Sequence, residues 1–160
     1  MEIRKVTIEE KDIALSIYRS LIGSPGCTWS EEYPADEHVT EDILNNALYG
    51  LYVDGKLTAV AAANYEEDYS ELNTLYGNLN RPCALSRVGV RREYQGQGLA
   101  KRLLLYIEKD LSTRGFDGIH LLGSKTNPKA IGLYESLSYK RLGEAYMYDL
   151  HWFYYQKKFV

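Results

Sequence analysis

The chain has 160 residues, 45% of them apolar and 26% charged, so one domain of this length buries about 68–70% of its unfolded surface and needs no disulfide or metal staple. That balance excludes disorder, collagen-like repeats and low complexity as descriptions of the whole chain. The net charge of −3 argues against general nucleic-acid binding; the halves nevertheless differ in sign, with 5 basic and 15 acidic residues in 1–80 against 14 and 7 in 81–160.

Met1-Glu2-Ile3-Arg4-Lys5 is charged and leads into no apolar stretch, unlike a secretory leader. No run approaches the roughly 18–20 apolar residues of a membrane helix, so a cytoplasmic protein without membrane contact is expected. Glu2 to Val6 alternates as a short strand. Thr7 and Glu10 form a capping box, and Ile13, Ile17 and Leu21 recur at helical spacing up to about Ile22. Gly23-Ser24-Pro25-Gly26 ends that helix, and a turn-rich stretch follows with Trp29 and Tyr33. Thr40 is the expected cap of a second helix carrying Ile43, Leu44 and Leu48.

Asp54-Gly55 between two apolar runs, Leu51 to Val53 and Leu57 to Ala63, is a hairpin signal. Tyr65 to Arg81 is polar and acidic. Cys83 to Val90 reads as a strand and Gln97 to Arg114 as a helix, with Leu99, Leu103, Leu104, Ile107 and Leu111 on one face. Ile119 to Leu122 is a buried strand. Asn127 or Pro128 opens a last helix, and Tyr139 to Glu144 and His151 to Phe159 close the chain as strands. The order β-α-α-β-β-β-α-β-α-β-β describes a mixed α/β domain, largely antiparallel at first, with a parallel crossover from Cys83 to Leu122. Cys27 and Cys83 stand apart, as do His38, His120 and His151, so two free thiols and no metal site are expected. The 15 tyrosines against 3 phenylalanines suit either a half-wet cleft or ordinary strand positions.

The chemistry concentrates in Val88 to Ala100, which joins a strand to a helix. Gly96 and Gly98 allow a ligand to approach the backbone. The unpaired amides and dipole of the next helix favour an anion such as a pyrophosphate, and Lys101 and Arg102 add charge at its rim. By itself the pattern Gln/Arg-x-x-Gly-x-Gly/Ala, met here by Gln95, Gly98 and Ala100, is weak, recurring by chance in about one chain in seven of this length. It is neither a Walker loop nor a dinucleotide fingerprint.

Taken with Asn127-Pro128-Lys129-Ala130-Ile131-Gly132-Leu133-Tyr134 and the aromatic Tyr139, this run resembles motifs A and B of the general-control-related N-acetyltransferase (GNAT) superfamily, in the family's order and separation. The resemblance spans nearly the whole chain. It implies one N-acetyltransferase domain over residues 1–160, with about seven mixed strands flanked by about four helices. It implies acetyl-CoA as cosubstrate, with Val88 and Val90 pairing with its pantetheine arm. The turn Gln95, Gly96, Gln97, Gly98, Leu99 and Ala100, with Lys101, would hold the pyrophosphate, and Asn127 would bond the pantetheine region. Tyr134 would protonate the leaving sulfur, and no metal is needed. Ser138 departs from the family, which usually has glycine there.

The acceptor implied is an amine of a small molecule or peptide, attacking directly in a ternary complex. Trp29, Tyr33, Trp152, Tyr154 and Tyr155, with the acids Glu31, Glu32, Asp36 and Glu37, would suit a cation. The family's usual glutamate base is missing from Ala84 to Arg87, which leaves Glu66, Glu67, Asp68, Glu71 and His120 as alternatives acting through water. A non-catalytic acyl-CoA-binding module is the rival reading. A member acting on aminoacyl-tRNA would need a basic surface, to which Arg87, Arg91, Arg92 and Arg114 would contribute. Apolar residues in the last strand permit a homodimer.

Overall fold

The computed structural model describes residues 1–65 and 79–160. Seven strands form one sheet: β1 (Glu2–Lys5), β2 (Leu48–Val53), β3 (Lys56–Tyr65), β4 (Pro82–Val90), β5 (Gly118–Ser124), β6 (Lys140–Met147) and β7 (Leu150–Lys158). Four helices flank them among the described residues: α1 (Lys11–Ser20), α2 (Asp36–Leu44), α3 (Leu99–Thr113) and α4 (Pro128–Ser136). The strand order is β1-β2-β3-β4-β5-β7-β6. Among the described residues only β4 and β5 run parallel; the other pairs are antiparallel.

Alternation along β3 sorts the core into two layers. Ala59, Ala61 and Ala63 face one helical layer with Leu103, Leu104, Ile107 and Leu111 of α3. Val60 and Ala62 face the other with Ala14, Ile17 and Tyr18 of α1 and Val39 of α2. A strand buried on both faces cannot alternate apolar with polar, and the alanines let helices approach from either side.

The first two helices differ from their sequence reading. In α1 the buried face is Ala14, Ile17 and Tyr18, while Ile13 is 46% exposed. The α2 helix begins at Asp36, not after Thr40, and Leu48 belongs to β2. Ala35 is its N-cap, and the His38 Nδ1 accepts the Ala35 N–H at 2.9 Å, so a histidine at the third helical position does what a Glu or Gln does in a capping box. The expected box at Thr7 is present, its N–H donating to the Glu10 carboxylate at 3.1 Å, although a single 3-10 turn precedes α1. The α3 face is as expected, but the helix starts at Leu99 with Gly98 as N-cap.

Two irregularities open the sheet. First, β4 and β5 pair over only three residues, Pro82–Ala84 with Gly118–His120. Beyond these, β4 continues with β3 and β5 with β7, so the sheet divides into two wings. Second, Ala62 faces Ser86 but Val60 faces Gly89, so Arg87 and Val88 together oppose Ala61. That is a β-bulge, which bends its strand and strengthens its twist. Arg87 carries a φ of 53° there.

Candidate functional site

A cleft of about 1760 Å³ follows the division between β4 and β5. One end is built by the turn after β4. Gly96 and Gly98 have φ of 78° and 76°, a left-handed backbone that a side chain would strain. A Cβ at either would meet nothing within 4 Å, so the space over the turn is open to a ligand. Glycine at the N-cap of α3 offers no side-chain acceptor, and the first turn of the helix holds no acid. The first helical bond is Arg102 N–H to the Gly98 carbonyl, so the amides of Leu99, Ala100 and Lys101 have no intrahelical acceptor. Backbone donors, a helix dipole and exposed glycines converge, which is what an anionic group requires.

Of the residues expected at the cofactor, Val88, Val90, Gln95, Gly96, Gly98, Leu99, Ala100, Lys101, Asn127 and Tyr134 all line the cleft. Gln97 does not line it, and Arg102 turns its guanidinium to the Met1 sulfur. The Gln95 amide donates to the Val90 carbonyl at 3.0 Å, holding the turn against the strand. Asn127 is the N-cap of α4: its Oδ1 accepts from Ala130 N–H at 3.2 Å, which leaves its Nδ2 hydrogens to meet a ligand. Gly26, in the α1–α2 connection, crosses here, and a Cβ on it would stand 2.6 Å from the Thr126 carbonyl. Arg92 and Lys129 add cations that the motif alone does not signal.

Tyr134 is 8% exposed and packs its ring against Tyr139 and Tyr155, with centroids 6.0 and 5.8 Å away. Burial pushes its phenol up to about 12. Ser138 has a φ of 68°. It takes the left-handed position of a Schellman motif in which Tyr139 N–H bonds the Tyr134 carbonyl at 3.0 Å and Ser138 N–H bonds that of Glu135 at 3.1 Å. Serine thus takes a left-handed backbone at the position where the resemblance expects glycine.

The other end of the cleft is framed by α2, the end of β3 and the β6–β7 hairpin. Trp29, Tyr33 and Trp152 line it, but Tyr154, Tyr155 and the acids Glu31, Glu32, Asp36 and Glu37 do not. The carboxylates on the described lining are Glu41 and Asp42. Asp42 is 2% exposed and held by Arg87, whose Nε and Nη2 each donate at 2.8 Å. Burial opposes the Arg87 charge, yet Asp42 and Tyr33 raise its pKa above the ordinary value. This pair escaped the sequence reading because nothing local joins residues 45 apart. Arg91 donates its Nε to the Leu57 carbonyl, whereas Arg87 is neutralised by Asp42 and does not add to a basic surface. Cys83 is buried outside the cleft, and neither cysteine is bonded to the other. His120 is a buried part of the cleft wall, and burial lowers its pKa to about 4. Glu66, Glu67, Asp68 and Glu71 lie outside the described residues. Among the described residues no three His, Cys, Asp or Glu side chains gather as a metal site, and no helix is long and apolar enough to cross a membrane.

Comparison with known proteins agrees with this geometry. An acetyltransferase of Pectobacterium atrosepticum is 40% identical over 53 residues, which are 33% of this chain and 38% of that protein, so the match spans well under half of the curated relative. A GNAT-family acetyltransferase structure from Streptococcus agalactiae superposes with a TM-score of 0.80 at 20% identity, covering 99% of this chain and 95% of that one. A PaiA N-acetyltransferase from Thermoplasma acidophilum, solved in complex with coenzyme A, gives 0.73 at 20% identity, covering 99% and 98%. At such identities the likeness is one of fold. The model of the acetyltransferase (GNAT) family matches residues 14–139, and with most of the chain inside that match, this protein belongs to the GNAT family.

Proposed function

We propose that the protein transfers an acetyl group from acetyl-CoA to an amine of a small molecule or peptide, by direct attack within a ternary complex. The observation that carries the reading is the open, glycine-floored turn at the N-terminus of α3, placed at the mouth of the β4–β5 division. The residues present fit the cosubstrate. The amides of Leu99 to Lys101 would meet the pyrophosphate, the β4 edge that β5 leaves at Val88 and Val90 would meet the pantetheine arm, with the Val90 carbonyl already accepting from Gln95, and Asn127 Nδ2 would donate to it. Lys101, Arg92 and Lys129 offset the phosphate charge.

A lysine-like amine, with pKa near 10.4, is neutral in only about one molecule in 2,500 at pH 7. Attack therefore needs a proton acceptor, and His120, neutral at pH 7, and Glu41 are candidates on the described cleft wall. The nitrogen lone pair adds to the thioester carbonyl, the C–S bond breaks, and the sulfur leaves with the electron pair. Tyr134 holds its proton at neutral pH, as an acid must. Its phenol, at about 12, lies some 3–4 units above an ordinary thiol, so full transfer is uphill on its own. It donates a hydrogen bond as charge grows on sulfur and yields its proton as the amine loses one.

Calorimetric titration with acetyl-CoA tests the donor half. Micromolar binding that disappears in Gly98→Trp is expected; absence of binding at millimolar acetyl-CoA overturns the reading. An amine screen by thiol release then tests turnover. Binding without thiol release for any amine would leave a non-catalytic acyl-CoA module.

A further inference from the structure

Arg87 lies in the left-handed region, φ 53°, a backbone that disfavours any residue with a Cβ. The fold holds it there from several sides. The Tyr18 hydroxyl, on α1, donates to the Arg87 carbonyl at 2.8 Å. Asp42, on α2, takes two hydrogen bonds from the guanidinium at 2.8 Å each. Tyr33, in the α1–α2 connection, accepts a third at 2.8 Å. Asn64, on β3, donates to Asp42 at 3.0 Å. Tyr18 is fully buried and Asp42 nearly so. A bidentate, desolvated pair of this kind is directional, and its loss on one side leaves a buried charge.

The clasp sits on the bulge where β4 parts from β5. In a planar trans peptide the carbonyl and the following N–H point in opposite directions. With the Arg87 oxygen tied to α1 by Tyr18, the Val88 N–H is turned away from α1, and Val88 lines the cleft. On the donor reading an amide of β4 polarises the thioester carbonyl of acetyl-CoA, and the Val88 N–H stands at that place; we propose that Tyr18, Asp42 and Arg87 are positioning residues that set the Arg87–Val88 peptide and so hold this N–H as a preformed donor. The inference rests on the donor reading above. It means that the helices framing the acceptor side and the polarisation of the donor carbonyl are joined by one hydrogen-bond network. A fixed donor aimed at a developing oxyanion needs no rearrangement during attack.

The test needs no acceptor. Acetyl-CoA labelled with 13C at the thioester carbonyl is bound to the protein, and its resonance is compared with that of the free molecule; the affinity for unacetylated CoA is measured alongside. The wild type is expected to move the bound carbonyl downfield. Tyr18→Phe deletes one oxygen and keeps the ring that packs edge-on against Trp29. It is expected to lose at least half of that displacement while CoA affinity changes less than twofold. Arg87→Gly keeps a residue at ease with φ 53° and removes the guanidinium; the same loss is expected, so a misfolded Tyr18→Phe would not leave the question open. An unchanged displacement in variants that bind, no displacement in the wild type, or equal weakening of acetyl-CoA and CoA overturns the inference. Failure of the wild type to bind acetyl-CoA at all overturns the donor reading beneath it.

Discussion

Burial penalises the ionised forms of Tyr134 and His120. The Tyr134 phenol, which carries its proton at neutral pH even at its ordinary pKa, holds it more firmly. Tyr134→Phe is expected to lower kcat about 10- to 100-fold with acetyl-CoA affinity within about threefold. A loss confined to affinity would reassign the ring to packing. For His120 the consequence is thermodynamic. Its folded pKa is about 4 and its unfolded value about 6.5, so between those values the unfolded chain binds a proton that the folded chain refuses. Stability therefore falls as pH drops from about 6.5 to 4, by roughly 3 kcal/mol in total, and is flat above. Glu10 acts in the adjoining window. Burial opposes its charge, yet hydrogen bonds from Arg4, the Thr7 backbone and Tyr52 hold its carboxyl down to about 2. Its contribution is complete above about 4.5 and is lost as pH falls toward 2. Urea titrations across pH should show the upper limb flattened in His120→Gln and the lower limb kept.

At the scale of elements, a left-handed residue can close a helix. The Schellman end of α4 is an example. Tyr139 and Tyr134 make both its backbone bond and its ring contact, so the geometry that stops the helix also fixes the base of the Tyr134 side chain. Serine at the left-handed position costs more than glycine would in the folded state, partly offset by glycine's freedom in the unfolded chain. Ser138→Gly is expected to stabilise by about 0.5–1 kcal/mol and raise Tm by about 1–4 °C. A lowered Tm would mean that the serine hydroxyl has a compensating partner. The same physics explains why the α2 start escaped the sequence reading. Thr40 is a better N-cap by type than Ala35, but the His38 ring and the acids Asp36 and Glu37 in the first turn let the helix begin earlier.

Across the whole molecule, the opposite charge of the two halves acquires a direction. Arg92, Lys101 and Lys129 lie along the cleft lining near the two helix N-termini, and Glu41 lies on the α2 side. These cations are exposed and act on a phosphate through salt-screened water. The Kd for acetyl-CoA is expected to rise roughly three- to tenfold between 50 and 500 mM NaCl, while a short acetyl thioester without phosphates shows no such change. Equal behaviour of the two would remove the charge asymmetry from cofactor binding. What the sequence by itself determined was whatever depends on near neighbours. The α3 stripe, the Asp54-Gly55 hairpin, the Thr7–Glu10 box and the glycine turn opening a helix all rest on contacts within a few residues, where side-chain spacing dictates geometry. So did the motif pair that announced the family, with Tyr134 and Asn127 in the same cleft as Gly98. The parting of β4 from β5, the bulge at Arg87, the clasp from Asp42 and the exclusion of the acids near residue 31 from the cleft were decided only by tertiary structure. Each depends on which distant segments share a wall, and pairing across 45 residues leaves no periodicity or local pattern in the chain to read.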